Sequence, residues 1–265
     1  MIDEHTHCYH SHDSIVSPRD MIKRAIELNI SYYAITDHYD LDCIHTYPGY
    51  HQLDLYNHFK EIESLKKEYK DQIEIASGVE VAWCKEMEDK YRERLSKYDF
   101  DITLDSVHLV NNIDCYDMRF YENKTQHQAY SEYIDACYQS LHAPYHIDVL
   151  THFGYCVRKA PYENPVWKYE DYKEQVDMVL KTLIEKGIAL ECNTHTKQLP
   201  LNFLPTLDML KRYKELGGEL ITFASDAHQP CRVLEKYDVA TAQIKELGFK
   251  YLFKFIKHKP IAVKI

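Results

Sequence analysis

The chain has 265 residues, 45% of them hydrophobic, and a formal net charge of −10. That length allows one large domain or two small ones with a substantial core, and the acidic balance argues against nucleic acid or an anionic membrane as the main partner. With no charged-then-apolar leader and no apolar run of about eighteen residues, the sequence reads as a cytoplasmic chain. Its eight cysteines are scattered without a CxxC pair. This pattern predicts reduced, partly buried thiols rather than a disulfide frame or a zinc ribbon.

The chain opens on Asp3-Glu4-His5-Thr6-His7. On an extended strand Asp3, His5 and His7 leave one face. Two such imidazoles can chelate a divalent metal, and an adjacent carboxylate can fix a ring tautomer. His12 follows closely. Ser17-Pro18 then reads as the cap and first residue of a helix over 18–28. A strand over 32–36 runs into Thr36-Asp37-His38. A helix over 55–69 precedes a strand over 73–81 that carries Gly78-Val79-Glu80. The next strand, 102–110, contains Ser106-Val107-His108, and the one after it, 149–153, contains Thr151-His152. A helix over 169–186 stops at Gly187 before a strand over 188–193 with Glu191-Cys192-Asn193. A last helix over 204–216 stops at Gly217-Gly218 before a strand over 220–224 that leads into Ser225-Asp226-Ala227-His228.

Strands and helices alternate without a linker, repeat or low-complexity tract, which predicts a single domain over 1–265 with a parallel sheet. Nearly every strand delivers His, Asp or Glu at its C-terminal end. That is the functional face of an α/β barrel, whereas a doubly wound sheet gathers its ligands near one switch point. His5, His7, His12, His38, His108, His152 and His228, with Glu80 and Asp226, exceed what one zinc ion needs. They suit two or three divalent ions sharing Glu80. With so many neutral imidazoles and few carboxylates, the cluster keeps excess positive charge and suits a phosphate ester, hydrolysed by in-line attack of a metal-bound hydroxide. Asp3 and Asp37 are expected to orient ligating rings rather than to bind metal.

The motifs around Asp3–His7, Asp37-His38, Gly78–Glu80, Ser106–His108 and Ser225–His228 resemble those of the PHP (polymerase and histidinol phosphatase) superfamily. Tyr213–Thr222 leading into Ser225–His228, and Asp148–Phe153 followed by Arg158 and Ala160-Pro161-Tyr162, resemble its histidinol-phosphatase branch. The resemblance implies a distorted (β/α)₇ barrel whose trinuclear centre sits at the C-terminal face and cleaves L-histidinol phosphate to histidinol and phosphate, in histidine synthesis. It implies one metal on His5, His7, Glu80 and Asp226, a second on Glu80, His108 and His152, and a third on His12, His38 and His228. Glu80, Asp226 and His228 carry the catalytic assignment. The ligand set does not choose among zinc, iron and manganese. A different phosphomonoester or a nucleotide end is the competing substrate, and a decayed, purely binding module is the competing class. Oligomeric state is not readable from the sequence.

One loop departs from the family. Relatives tend to read Asn-Thr-Ser-Gly-Leu-Arg where this chain reads Asn193-Thr194-His195-Thr196-Lys197-Gln198. Gln198 cannot supply the planar fork of an arginine. Phosphate contacts are therefore expected from Arg158, with Lys197 and His195 as further candidates. His10, His45, His51, His58, His127, His142, His146 and His258 have no motif around them and read as solvated. If position 198 faces the phosphate, Gln198→Arg should raise kcat/KM for histidinol phosphate by about tenfold, the worth of one charge-assisted hydrogen bond. Unchanged steady-state kinetics would remove the position from the phosphate site.

Overall fold

In the computed structural model, which describes residues 1–41, 51–196 and 199–265, seven parallel strands wrap around one axis. The chain runs β1 (Ile2–Asp3), α1 (Pro18–Glu27), β2 (Tyr32–Ile35), a two-residue β3 (His38–Tyr39), α2 (Leu55–Tyr69) and the long β4 (Glu74–Ala82). It continues through α3 (Glu88–Leu95), β5 (Ile102–Ser106), β6 (Leu109–Val110), β7 (Ile113–Asp114), α4 (Gln126–Ser140) and β8 (Val149–Leu150). Then come α5 (Lys173–Lys186), β9 (Ala189–Asn193), α6 (Leu207–Glu215), β10 (Ile221–Ala224) and α7 (Tyr237–Glu246). The chain closes on β11 (Tyr251–Ile256) and β12 (Lys259–Lys264).

The barrel strands pair in the order β1-β2-β4-β5-β8-β9-β10. The ring nearly closes where β10 returns to β1. There the Glu4 N–H donates to the Phe223 carbonyl at 3.0 Å and the Asp226 N–H to the His5 carbonyl at 2.9 Å, and Thr6 bridges Ala227 in parallel. The distorted seven-stranded barrel expected from the sequence is therefore the fold observed. Local chemistry sets the element ends. The Ser17 hydroxyl accepts from the Asp20 N–H with Pro18 at the first helical position, Thr125 and Gln128 form a capping box, and Gly187 ends α5 at φ 67°.

Several expected boundaries move. The strand expected over 102–110 ends at Ser106, and the segment beyond it forms the separate β6–β7 hairpin. The strand expected over 149–153 stops at Leu150 because His152 stands at φ 22°. The helix expected from 204 begins at Leu207, since Leu204 pairs with Asn193 in an antiparallel bridge and Pro205 has no N–H to give. The helix expected from 169 starts at Lys173 after a short 3₁₀ turn at Tyr169–Asp171.

Tyrosine fills much of the core. Tyr32, Tyr33, Tyr39, Tyr91, Tyr130, Tyr133 and Tyr213 are almost fully buried. Their hydroxyls need partners inside, and main-chain carbonyls supply several: Tyr32 donates to Phe255, Tyr130 to Pro165 and Tyr213 to Leu220. The described cysteines are free thiols, all buried except Cys231. No helix among the described residues is long and apolar enough to cross a membrane.

The antiparallel β11–β12 pair lies against the N-terminal ends of the barrel strands. Besides the Tyr32 hydrogen bond, Lys254 pairs with Glu74, the His258 N–H reaches the Asp101 carbonyl and the His258 ring reaches Asp148. Chemistry is thereby confined to the opposite mouth. Gly78 of β4 sets the closeness of the strands that hold that mouth. A Cβ there would lie 2.5 Å from Ile102 Cγ2, 2.7 Å from the Ile102 carbonyl oxygen and 2.9 Å from Thr36 Cγ2. The backbone oxygen cannot move aside cheaply. Gly78→Ala should therefore cost about 1–3 kcal/mol by overpacking, read as a lower midpoint in equilibrium urea denaturation.

Candidate metal centre

The nine expected ligands come from several strand ends and meet at the C-terminal mouth. His5 and His7 follow β1, His38 opens β3, Glu80 lies on β4, and His108 follows β5. His152 follows β8, and Asp226 and His228 follow β10. Glu80 is fully buried at the centre. Its Oε2 lies 3.2 Å from His5 Nε2, 3.6 Å from His7 Nε2 and 2.6 Å from His38 Nδ1. Its Oε1 lies 3.3 Å from His108 Nε2 and 2.9 Å from His152 Nε2. Asp226 Oδ1 is 3.3 Å from His7 Nε2 and 4.0 Å from His5 Nε2. His228 Nε2 sits 3.4 Å from His38 Nε2, and the His12 ring centroid is 5.3 Å from that of His38.

The second nitrogens of these rings reveal the tautomers. A carboxylate or carbonyl oxygen can only accept, so the ring nitrogen facing it carries the proton. His5 Nδ1 therefore donates to Glu191 Oε1 at 2.7 Å, and His228 Nδ1 donates to the Asp226 carbonyl at 3.0 Å. The Ser11 hydroxyl donates to Asp37 Oδ1 at 2.6 Å, so it accepts from His7 Nδ1 at 3.0 Å. In His5 and His7 this leaves the Nε2 lone pair facing the cluster, whereas His228 Nε2 also faces Asp13 Oδ2 at 3.0 Å. Among the described residues, His5 Nε2 and His7 Nε2 are buried without a hydrogen-bond partner. Buried lone pairs converging on a carboxylate are the donor set of a divalent metal. The residues fit the group.

The electrostatics agree. Burial would raise the Glu80 carboxyl, but the imidazoles of His5, His38 and His108 outweigh it and hold it well below the usual carboxylate range. Asp226 is likewise held low against its burial by His195 and His5. Burial and the facing rings of His228 and His38 push His7 down to about 3, and burial drives His12 and His152 to about 4. His7 stacks on His38 and His228 with ring centroids 4.2 and 4.1 Å away, a packing that suits neutral rings. Burial also opposes charge on His5, yet Glu80, Glu191 and Asp226 raise it well above its ordinary value. The carboxylates that would draw a proton there would equally draw a metal cation.

Two expected roles differ. Asp3 does not orient a ring. Its oxygens accept from the Ser225 N–H at 2.9 Å and the Leu234 N–H at 3.2 Å, tying β1 to the segment after β10, and burial raises its carboxyl to about 6. Asp37 acts at one remove, since it grips Ser11, which holds His7; it also faces His58 at 3.1 Å. His58 is thus buried rather than solvated. Glu191, absent from the expected site, holds both His5 and the His152 N–H, the latter at 2.7 Å. Asp13 was missed too; its Oδ2 lies 3.0 Å from His228 Nε2 and 3.6 Å from His38 Nε2. Glu191 sits at an expected strand end and Asp13 adjoins His12, so both carried a weak signal.

Arg158 reaches the wall of the site. Its guanidinium donates to Asn193 Oδ1 at 2.9 Å and to Asp226 Oδ2 at 3.3 Å, over the Tyr155 ring. His195 Nδ1 donates to the Asp226 carbonyl at 3.0 Å, with its ring 6.0 Å from that of His228. Lys197, Gln198 and His45 lie outside the described residues. Because Glu191 fixes the His5 tautomer, Glu191→Gln should weaken metal retention by about 10–100-fold, measured as metal content after dialysis against graded chelator. Retention equal to wild type would separate Glu191 from metal holding.

The PHP domain family matches residues 3–195. Histidinol-phosphatase of Lactococcus lactis is 30% identical over 256 residues, covering 96% of this chain and 94% of that protein. Histidinol-phosphatase of Bacillus subtilis is 26% identical over 254 residues, covering 86% and 93%. The crystal structure of histidinol phosphate phosphatase from Lactococcus lactis, complexed with zinc, L-histidinol and phosphate, superposes with a TM-score of 0.89 at 31% identity, covering 98% of each chain. The barrel, the ligand-bearing strand ends and these likenesses agree: the chain belongs to the PHP domain family.

Proposed function

We propose that this chain is a metal-dependent phosphomonoesterase that hydrolyses L-histidinol phosphate to L-histidinol and phosphate. The observation that carries this reading is the convergence of the His5, His7, His38, His108 and His152 imidazoles on the buried Glu80 carboxylate in the barrel mouth, in a chain alike over almost its whole length to an enzyme crystallised with histidinol, phosphate and zinc. His5, His7, Glu80 and Asp226 would hold one divalent ion, Glu80 with His108 and His152 a second, and His12, His38 and His228 a third. Zinc is supported by the relative, with iron and manganese compatible with the same donors. Bound ions would polarise the phosphoryl group and acidify a water.

The protein's own groups do the rest. Glu80 spreads its two oxygens over two sets of imidazoles, fixing the spacing between them. Asp226 holds the His7 side of the cluster, and its carbonyl fixes the tautomer of His228. Arg158, nearly buried and already aimed by Asn193, offers its guanidinium fork to the phosphate. His195 lines the same wall, its Nδ1 committed to the Asp226 carbonyl.

Phosphate release from L-histidinol phosphate by the metal-loaded protein is the direct test. Glu80→Gln should lose metal and turnover together, by more than the roughly 100-fold that bounds second-sphere changes, with circular dichroism unchanged. Arg158→Ala should keep its metal and lower kcat/KM by about tenfold or more, since a charge-assisted hydrogen bond contributes about 1.5–3 kcal/mol. Turnover of another phosphomonoester, with histidinol phosphate untouched, would overturn the substrate and leave the metal reading standing.

A further inference from the structure

Opposite the barrel mouth a second group of ligand-type side chains converges, remote from the proposed chemistry. Asp148, immediately before β8, is 2% exposed and stands between two imidazoles. His146 Nε2 is 2.9 Å from its Oδ1, and His258 Nδ1 is 2.7 Å from its Oδ2. The two ring centroids are 4.4 Å apart, and the three donor atoms lie within 4.8 Å of one another. We propose that His146, Asp148 and His258 form a second, structural site for a zinc-like divalent ion that clips the C-terminal hairpin to the barrel floor.

The chemistry follows from the donors. Two imidazole nitrogens and one carboxylate oxygen suit zinc or a neighbouring first-row ion, not magnesium or calcium. Donor atoms of a tetrahedral site with bonds of about 2.0–2.1 Å stand a little over 3 Å apart, and here the two ring nitrogens and one oxygen of Asp148 already lie within 4.8 Å of one another. The ion would take the place of the protons that the rings share with Asp148. The Thr103 N–H, 2.7 Å from Asp148 Oδ2, orients the carboxylate as an outer-sphere donor would. A fourth position would open into the adjoining cleft lined by Arg92, Thr103 and Tyr145, where water can complete the shell.

The residues come from two distant parts of the fold, the loop before β8 and the C-terminal hairpin, which gives the ion something to hold together. His146 lies on the loop before β8. His258 occupies the second place of the two-residue turn between β11 and β12, at φ 61° after Lys257 at φ 50°. Turns of that shape ordinarily carry Asn-Gly. A histidine at glycine's usual place is held there by its side chain's bond to Asp148 and its N–H bond to Asp101.

Wild-type protein, His146→Ala and His258→Gln, each purified with its mouth metals in place, are dialysed against micromolar zinc and counted by inductively coupled plasma mass spectrometry. Wild type should hold about one equivalent more than either variant, with equal turnover of phosphate ester. Added zinc should raise the Tm of wild type and leave that of His146→Ala unmoved. His146 is 59% exposed and outside the hairpin, so its variant keeps the test decisive if His258→Gln loosens the turn. Equal metal counts in all three proteins overturn the proposal.

Discussion

A carboxylate sealed from water must find compensating charge inside the protein. Glu80 has no exposed surface, and five imidazoles face it, those of His5, His7, His38, His108 and His152. They arrive from four separate segments of the chain, after β1, at β3, after β5 and after β8, so one buried charge fixes the placement of several elements at once. The barrel supports this by close approach. Gly78, two residues earlier on β4, lets the Ile102 carbonyl and Thr36 come nearer than any side chain would allow. Register then matters at the ångström scale, because a one-residue slip would turn Glu80 out of the barrel.

The two ends of the barrel divide the labour. At the C-terminal mouth, loops carry donors with lone pairs facing inward. At the N-terminal floor, Glu74, Asp101 and Asp148 at the starts of β4, β5 and β8 anchor the hairpin through Lys254, Lys257 and His258. This matches the general pattern in which chemistry gathers at one face of a parallel barrel and stability at the other. The floor pairs involve a nearly buried Asp101 and Asp148, so they resist screening better than exposed pairs of the same length.

Much of this was legible in the sequence because strand-end placement is a one-dimensional signal. His38, His152 and Asp226 each sit where an apolar run gives way to polar residues, and Glu80 and His108 are single polar breaks in apolar runs; such signals survive without knowledge of partners. Roles set by three-dimensional pairing were not legible. Asp3 shares strand parity with His5 and His7, yet β1 ends at Asp3, whose carboxylate is taken by amides of Ser225 and Leu234. Glu191 looks like any acid at a strand end until its 2.7 Å bond to His5 appears. His58 reads as a surface residue of α2 until Asp37 is found beneath it. The apolar face of α4 was obscured because Tyr130, Tyr133 and Cys137 do the packing that leucine does elsewhere.

Backbone strain separates what the fold prepares from what a metal must complete. His152 and Asp226 stand at φ 22° and 51°, conformations costing on the order of 1–3 kcal/mol each outside glycine. The protein holds both in place. The His152 N–H is bound by Glu191, and the Asp226 N–H by the His5 carbonyl, within the seam that closes β10 onto β1. Ligand directions are therefore built in before any ion arrives. The lone pairs are a different matter, since among the described residues no hydrogen bond satisfies His5 Nε2 or His7 Nε2. A fold that fixes the donors and leaves them unsatisfied stores a free-energy cost that metal binding removes. Metal affinity and stability of the barrel mouth are then one quantity seen from two sides.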